Sequence, residues 1–293
     1  MASVLVVDDS AIDRRLAGAL LSKRGHTVDF AGDGREALGK IEGARPDVVV
    51  TDLEMPEMNG LQLVEAVRDT FPSLPVVLMT AHGSEQTAMI ALRAGAASFV
   101  PKRRLADDLA DTIDAIVAIS LDVGRASTVD PLDAREIRYE LGPDLQALGD
   151  VVGQLESHLL QVGLADETSI VQIAVALREA LVNAIVHGNL EVSSSLLEDG
   201  GAAFAQTIER RRAEKPYKDR RVSVVARYKP DEVTYVVTDQ GPGFDPRTLP
   251  DPTDLANLER ASGRGLMLIR TFMDEVSFNE KGNEIRMTKR KAS

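Results

Sequence analysis

The sequence predicts an α/β protein of two domains: an N-terminal, doubly wound, five-stranded parallel sheet and a C-terminal α+β sandwich. Three observations predict this architecture. In residues 1–122, short β-branched runs alternate with amphipathic stretches, as in a parallel sheet covered by helices on both faces. Residues 123–131 are rich in Gly, Ser, Thr, Asp and Pro, which indicates a linker. In residues 132–293, long helical patterns precede paired strands and glycine-rich loops, an order typical of a sheet under a helical layer.

Length and composition narrow the classes of function. A chain of 293 residues with 44% hydrophobic and 27% charged residues can bury two cores. Its net charge of −12 and short basic clusters disfavour a nucleic-acid partner. No apolar run approaches a membrane span and the N-terminus lacks a signal-peptide pattern, so we expect a cytoplasmic protein with no membrane partner. The absence of cysteine excludes disulfides and cysteine metal sites.

The N-terminal sheet is predicted from five strand-like runs. They lie at 4–7, 27–31, 48–51, 76–79 and 98–100. Helical patterns fall between them, and the pattern at 10–23 places Ile12, Leu16 and Leu20 on one face. In such sheets the functional site is expected at the carboxyl ends of the strands.

Polar residues follow four of these strands. Asp8 and Asp9 follow the first strand, Asp52 the third, Thr80 the fourth and Lys102 the fifth. Three carboxylates that converge on one sheet edge repel each other unless a cation lies among them, and oxygen-only ligands favour Mg²⁺. We therefore predict a magnesium site at which a phosphoryl group can be transferred to a carboxylate.

This segment resembles response-regulator receiver domains nearly from end to end. Three runs carry the resemblance: Val-Val-Asp-Asp-Ser at 6–10, Thr-Asp-Leu-Glu-Met-Pro-Glu-Met-Asn-Gly at 51–60 and Phe-Val-Pro-Lys at 99–102. Phe99 occupies the position of the family's rotating aromatic switch. Arg103 departs from the pattern, because a proline usually follows the lysine.

The resemblance implies a role for each polar residue at the sheet edge. Asp52 is the expected phosphoacceptor. Its phosphoryl group would come from an upstream histidine kinase or phosphotransfer protein. Asp8 and Asp9 are expected to hold Mg²⁺, while Thr80 and Lys102 contact the phosphoryl oxygens. Receivers shift between two conformations on phosphorylation, so Asp52 would act as a switch.

The predicted helix at 105–119 has a broad apolar face. Its apolar residues are Leu105, Leu109, Ile113, Ile116 and Val117. Part of this face must pack on the sheet, and the rest could pair with a second copy. By family habit, a homodimer through this region is a further expectation.

The C-terminal half shows a different order of elements. Strands are predicted at 137–141, 222–227, 233–238, 276–278 and 284–288, and helices at 144–161, 166–189 and 266–272. The sheet is expected to be antiparallel or mixed. The segment 191–221 forms a long insertion whose 208–212 portion resembles a charged amphipathic helix. The sequence does not decide whether the insertion shields an interface, recruits a partner or decorates the surface.

The helix at 166–189 carries a polar stripe. At about 100° per residue, Glu179, Asn183 and His187 lie on one stripe, away from Leu181 and Ile185. Two interpretations are open: the stripe is the wet side of an amphipathic helix, or it faces a polar ligand. For His187 we favour packing or capping at the helix end over a catalytic role.

Two glycine-rich loops follow. In the first, Asp239 can accept an amino hydrogen bond from adenine, and Gly241 and Gly243 let the backbone approach a ligand. In the second, the run Gly263-Arg264-Gly265 opens a helix, and the free amides of a helix N-terminus bind phosphate. Together with the polar stripe, these loops predict a nucleotide site.

This half resembles the Bergerat-type (GHKL) ATPases, and among them the anti-sigma factor serine kinases. The run Glu-Ala-Leu-Val-Asn-Ala-Ile-Val-His-Gly-Asn at 179–189 carries the closer resemblance. It implies that Glu179 is a general base for an incoming serine or threonine hydroxyl and that Asn183 holds Mg²⁺ on the ATP phosphates. Asp239 is expected to recognise adenine.

The resemblance also assigns the glycines of the two loops. Gly241 and Gly243 are expected to line the pocket, and Gly263 and Gly265 to cradle the phosphates. Arg264 is a candidate phosphate ligand, with an exposed lid residue as the alternative.

Three functions are compatible with these motifs. The first is an ATP-dependent serine/threonine kinase that acts on an anti-sigma factor antagonist-like protein and is switched at Asp52. The second is a non-catalytic, ATP-binding module that sequesters a partner. The third is a hybrid histidine kinase, disfavoured because His158 lacks the acidic and arginine neighbours of a phosphoacceptor histidine. Glu179 favours the first, while the sign of regulation and the identity of the partners are not encoded in any motif.

Overall fold

The computed structural model describes residues 1–81, 85–123, 135–197, 202–248 and 264–291. They belong to two compact units: Met1–Gly124 with Asp166–Gln172, and Arg125–Ala165 with Ile173–Ser293. Most of the predicted linker at 123–131 lies outside the described residues.

The first unit is built on the predicted five-stranded parallel sheet. Its strands are β1 (Ser3–Val7), β2 (Thr27–Ala31), β3 (Val48–Asp52), β4 (Val76–Thr80) and β5 (Ser98–Pro101). They lie in the order β2-β1-β3-β4-β5, and every pair is parallel. Each observed strand begins and ends within one residue of its prediction. All residues of β3 and β4 are buried, as expected for central strands covered on both faces.

Helices alternate with these strands. They are α1 (Ala11–Lys23), α2 (Gly34–Gly43), α3 (Gly60–Thr70), α4 (Glu85–Ala94) and α5 (Leu105–Val123). Side-chain caps fix three helix starts: Ser10 accepts from the Asp13 amide, Asp33 from the Arg35 and Glu36 amides, and Asn59 forms a capping box with Gln62. These three caps lie in the loops that follow β1, β2 and β3, so polar side chains lie near the carboxyl ends of the strands.

Helix α1 packs through a different face from the one that Ile12, Leu16 and Leu20 occupy. Ala17, Gly18 and Leu21 are buried, whereas Ile12 and Leu16 are exposed. A methyl group on Gly18 would lie 2.5 Å from the Phe30 ring. Glycine at position 18 therefore lets α1 approach the Phe30 ring closely.

The second unit contains an antiparallel five-stranded sheet. Its strands are β6 (Arg135–Leu141), β7 (Val222–Tyr228), β8 (Glu232–Thr238), β9 (Glu275–Phe278) and β10 (Glu284–Arg290). They lie in the order β6-β7-β8-β10-β9, with every neighbouring pair antiparallel. Of the two predicted sheet types, the antiparallel one is therefore present.

The helices of the second half are α6 (Ala147–Val162), α7 (Glu167–Val182), α8 (Ala202–Ala213) and α9 (Arg264–Phe272). Helix α7 begins after Asp166, whose Oδ1 accepts the Ser169 amide at 2.7 Å. The predicted α-helix does not continue to residue 189. Residues Asn183–Asn189 are π-helical, a geometry that adds about one residue per turn.

One helical stretch, Glu167–Asn189, is long and apolar enough to cross a membrane by length and composition. The expectation that no apolar run approaches this length was therefore wrong for this stretch. Its most apolar window is 67% buried within the protein, as is typical of a core helix.

Candidate functional sites

The edge of the parallel sheet brings three carboxylates together. Oxygen atoms of Asp8, Asp9 and Asp52 all lie within 4.8 Å of one another. Asp8 and Asp52 are buried, whereas Asp9 is exposed. The Nζ atom of Lys102 lies 2.8 Å from Asp8 Oδ2 and 3.1 Å from Asp52 Oδ2. An ammonium group thus compensates the charge of two buried carboxylates.

The backbone holds Asp52 in place at the end of β3. Its Oδ1 accepts the Leu53 amide at 2.8 Å. Gly60 opens α3 directly beside it, and a methyl group on Gly60 would lie 2.2 Å from the Asp52 carbonyl oxygen. Glycine is therefore required where this helix approaches the strand end.

Electrostatics at this edge favour a bound cation. Burial raises the pKa of Asp52 despite the opposing effect of Lys102, because a charged carboxylate is poorly solvated there. For Lys102, burial opposes the charged form, but hydrogen bonds and attraction to Asp8 and Asp52 outweigh it and raise the pKa. Lys102 therefore remains protonated. The all-oxygen donor set fits Mg²⁺.

The remaining receiver candidates lie on the adjacent strands. Thr80 ends β4 and is buried, and Phe99 in β5 is 1% exposed, so the aromatic ring is turned into the protein. Residues Lys102–Arg104 form a 3₁₀ turn directly after β5.

In the second unit, the polar stripe that contains Glu179 and Asn183 is partly exposed to solvent, and the opposite face of the helix is buried. Leu177, Leu181 and Ile185 are fully buried, whereas Glu179 and Asn183 are half-buried. Among the described residues, no basic side chain contacts Glu179. A half-buried carboxylate beside a carboxamide is an unusual feature of a core helix and is typical of a ligand site.

Helix α9 begins against these two residues. A methyl group on Gly265 would lie 2.5 Å from Glu179 Oε2 and 3.7 Å from Asn183 Nδ2. The first turn of α9, where backbone amides lack helical partners, therefore faces Glu179 and Asn183. Gly263 lies outside the described residues, as does the side chain of Arg264.

His187 is placed differently from Glu179 and Asn183. Its Nδ1 lies 2.6 Å from the Val192 carbonyl oxygen, and its ring centroid lies 6.3 Å from that of Phe204. The π-helical segment also turns residue 187 away from strict α-helical spacing. These contacts support the packing role for His187.

Asp239 follows β8 and lies against the end of the π-helical segment. Its Oδ1 accepts the Gly241 amide at 2.8 Å, and Asn283 Nδ2 donates to its carbonyl oxygen at 2.7 Å. Burial raises the pKa of Asp239, while the Gly241 amide lowers it. A methyl group on Gly188 would lie 2.4 Å from the Asp239 carboxyl carbon.

The two glycines after Asp239 have separate neighbours. A methyl group on Gly241 would lie 2.2 Å from the Gly188 carbonyl oxygen. Gly243 has φ of +76°, and its added methyl would lie 2.0 Å from the Lys281 carbonyl oxygen. Gly241 thus faces the helix end, and Gly243 faces the loop before β10.

Sequence-based reasoning did not single out Gly188, Asn189 and Gln240. Asn189 is fully buried, and its Oδ1 accepts the Gln240 amide at 2.7 Å. Gly188 was the available signal, because glycine within a helix costs about 1 kcal/mol relative to alanine and marks a close approach.

His158 on α6 was the candidate for histidine phosphorylation. Its Nδ1 lies 2.6 Å from the Gln154 carbonyl oxygen, and its ring lies 5.8 Å from that of Tyr228. One ring nitrogen is therefore engaged with its own helix.

Two regions of the chain match known families. Residues 4–114 match the response regulator receiver domain, and residues 141–289 match the histidine kinase-like ATPase domain.

Individual relatives cover only part of the chain. The response regulator MprA of Mycolicibacterium vanbaalenii is 41% identical over 99 residues, which are 34% of this chain and 43% of that protein. The protein-glutamate methylesterase/protein-glutamine glutaminase of a Nocardioides species is 44% identical over 104 residues, which are 34% of this chain and 28% of that protein. The chain thus spans less than half the length of these curated relatives. A solved receiver domain protein from Clostridium thermocellum aligns with 39% of this chain and 92% of its own, at 29% identity and a TM-score of 0.38.

Proposed function

Because this chain belongs to the histidine kinase-like ATPase domain family and carries a response regulator receiver domain before it, we propose that its output is ATP-dependent serine/threonine protein kinase activity. The substrate is an anti-sigma factor antagonist-like protein, and phosphorylation of Asp52 regulates the activity in the cytosol. Residues 1–122 act as the switch, 123–131 as the linker and 132–293 as the kinase.

One observation supports this proposal above the others: the Glu179 carboxylate lies beside Asn183 and against the first turn of α9. If amides of that turn bind the phosphates of ATP, the γ-phosphorus lies near Glu179. Among the described residues, Glu179 has no cationic partner, so its carboxylate oxygens can contact an incoming hydroxyl group.

The proposed transfer requires one base and one acceptor. Glu179 takes the proton from an incoming serine or threonine hydroxyl, whose oxygen forms a bond to the γ-phosphorus of ATP. The bond from that phosphorus to the bridging oxygen breaks, and ADP leaves. Asn183 would hold a Mg²⁺ ion, which neutralises phosphate charge when bound.

Recognition of the adenine is assigned to Asp239. Its carboxylate is half-buried, and among the described residues of the loop the Gly241 amide is its one direct donor, which leaves an oxygen for the exocyclic amino group. The buried Nδ2 of Asn189 has no hydrogen-bond partner among the described residues, so polar capacity remains beside this turn. These features fit a bound nucleotide. Gly241, Gly243, Gly263, Arg264 and Gly265 complete the proposed site.

In the receiver, Asp52 is the proposed acceptor of a phosphoryl group from an upstream histidine kinase or phosphotransfer protein. An Asp52 oxygen bonds to phosphorus as the donor's phosphorus–nitrogen bond breaks. Asp8 and Asp9 would hold Mg²⁺. Lys102 and Thr80 would contact the phosphoryl oxygens, and Phe99 would report the change. Formation of a homodimer is part of the same proposal.

The test uses the full chain with labelled ATP, Mg²⁺ and a candidate antagonist protein, with and without a small-molecule phosphate donor for Asp52. We expect label on a serine or threonine of the antagonist. Glu179→Gln should bind ATP without transferring phosphate, while Glu167→Gln on the same helix should behave as wild type. ATP binding with no transfer to any hydroxyl would favour a partner-sequestering module, and label on His158 would favour a histidine kinase.

Regulation is tested separately. Asp52→Ala should retain kinase activity and lose its response to the phosphate donor. A normal response in this variant would exclude Asp52 as the switch. Molar mass measured by light scattering, with and without the donor, tests the homodimer.

A further inference from the structure

The insertion at 191–221 contributes two arginines to the end of the helix that carries Glu179 and Asn183. Arg211 Nη1 donates to the carbonyl oxygens of Leu190 and Glu191 at 2.7 and 2.6 Å. Arg220 Nη1 donates to the Asn189 carbonyl oxygen at 2.7 Å. Carbonyl groups at the end of a helix lack amide partners, and cations there are favourable.

An aromatic ring holds these two arginines together. The guanidinium carbons of Arg211 and Arg220 lie 5.0 and 5.2 Å from the centroid of the Tyr217 ring. Such cation–π contacts stabilise the ordered arginine side chains and offset part of the conformational entropy that these side chains lose on ordering. Glu191 Oε1 accepts a further bond from Arg220 at 2.7 Å. We call Arg211, Tyr217 and Arg220 the arginine clamp.

The arginine clamp is connected to Asp239 through two hydrogen bonds at Gln240. Asn189, held by Arg220 at its carbonyl oxygen, accepts the Gln240 amide through Oδ1 at 2.7 Å. The Arg221 amide donates to Gln240 Oε1 at 2.9 Å. Gln240 directly follows Asp239, so the insertion holds the turn that presents the Asp239 carboxylate.

The packing at this junction leaves little room for displacement. Gly188 and Gly241 touch each other and Asp239 so closely that a methyl group on either would come within 3 Å of the Asp239 carboxyl group. A small shift of the helix end therefore moves the carboxylate. Misplacement of a recognition group by about 1 Å can cost on the order of 100-fold in rate.

From these contacts we propose that Arg220, supported by Tyr217 and Arg211, is a positioning residue that sets the adenine preference of the nucleotide site through Asn189 and Gln240. This inference rests on the proposed nucleotide site. It assigns the insertion a role within the kinase domain itself.

The test measures binding of ATP and of inosine triphosphate, which lacks the exocyclic amino group, by calorimetry with the full chain. Wild type should prefer ATP. Arg220→Ala should raise the Kd for ATP by about tenfold and reduce the preference for ATP over inosine triphosphate. Arg220→Lys should restore part of that preference, because an ammonium can still reach one carbonyl oxygen. The matched control is Arg210→Ala, since Arg210 is an exposed position of the same insertion whose ion pair among the described residues is with Glu214, at 3.9 Å.

A double-mutant cycle between Arg220 and Asp239 distinguishes a positioning role of Arg220 from a general loss of structure. In an Asp239→Asn background, Arg220→Ala should change ATP binding little, because the carboxylate it positions is already absent. If Arg220→Ala unfolds the domain, Tyr217→Leu keeps apolar bulk and should reduce the same preference. Wild-type preference for ATP with no change in folded Arg220→Ala or Tyr217→Leu would overturn this inference alone. Absence of ATP binding by wild type would overturn the proposed function and this inference together.

Discussion

Gly265, in the first turn of α9, lies against Glu179 so closely that a methyl group on it would come within 2.5 Å of Glu179 Oε2. The atom it meets is the far end of a flexible side chain rather than backbone. The side chain can therefore move aside without unfolding the protein. Substitution of Gly265 therefore tests whether phosphate transfer depends on the position of the Glu179 carboxylate.

Gly265→Ala should lower phosphate transfer by about 10- to 100-fold while the melting temperature changes little, because Glu179 rotates away from the proposed phosphate site. Single-turnover transfer rates and thermal unfolding measure the two effects. Gly149→Ala is the control, because Gly149 is an exposed position of α6 and its added methyl meets nothing within 4 Å. Unchanged transfer in Gly265→Ala would argue against catalysis by Glu179.

Gly241→Ala should act on stability instead. Its methyl group would lie 2.2 Å from the Gly188 carbonyl oxygen, which is backbone and cannot rotate away. Overpacking of this kind costs about 1–3 kcal/mol, so urea unfolding of the second domain should shift by that amount. Gly142→Ala, whose methyl meets no atom within 4 Å, should not show this loss.

Asp239→Asn should weaken ATP binding by about 10- to 100-fold, since a hydrogen bond to a charged group contributes about 1.5–3 kcal/mol. Asp245→Asn is the control in the same loop, because Asp245 is exposed and bonds Arg247. Calorimetric titrations with ATP would show equal affinities of the two variants if Asp239 has no role in binding.

The raised pKa of Asp239 also predicts a pH dependence of binding. Burial makes this carboxyl group take up a proton at higher pH than its ordinary value of 3.8. ATP affinity should therefore fall as the pH is lowered through that raised pKa, because the protonated oxygen no longer accepts the adenine amino hydrogen bond. Titrations from neutral pH down toward 3.8 should lose this component in Asp239→Asn.

Asp52→Asn should stabilise the receiver in the absence of Mg²⁺. Burial raises the folded-state pKa of Asp52 above 3.8, so the folded protein holds this proton at pH values where the unfolded chain has lost it. The stabilisation linked to this proton is complete below the unfolded pKa and is lost as pH rises through the folded pKa. At neutral pH the ionised group therefore destabilises the fold.

Urea unfolding in a chelator should show the largest gain for Asp52→Asn at neutral pH. The gain should shrink as the pH falls through the raised pKa toward 3.8. Asp29→Asn should show no such gain, because the Phe30 amide lowers the pKa of exposed Asp29. If the free energy of unfolding changed equally with pH in the two variants, burial would not be the cause of a raised pKa at Asp52.

Local sequence determined much of the fold. Buried β-branched runs such as Val48–Asp52 specify central strands, and Ser10, Asp33 and Asn59 specify helix starts through their own side-chain hydrogen bonds. These signals act within a few residues and need no knowledge of the rest of the chain. The convergence of Asp8, Asp9 and Asp52 followed from parallel strand order alone.

Only tertiary structure decided the finer arrangement of the second domain. The π-helical turn at Asn183–Asn189 cannot be recovered from apolar periodicity, because an added residue per turn depends on what the helix end packs against. The contacts of Gly188 with Asp239, of Asn189 with Gln240 and of Arg220 with Asn189 join residues distant in sequence. The sequence by itself thus determined which residue types could carry the chemistry and in what order. Packing between distant segments decided which of them lie within bonding distance, because that distance depends on the whole domain rather than on neighbouring residues.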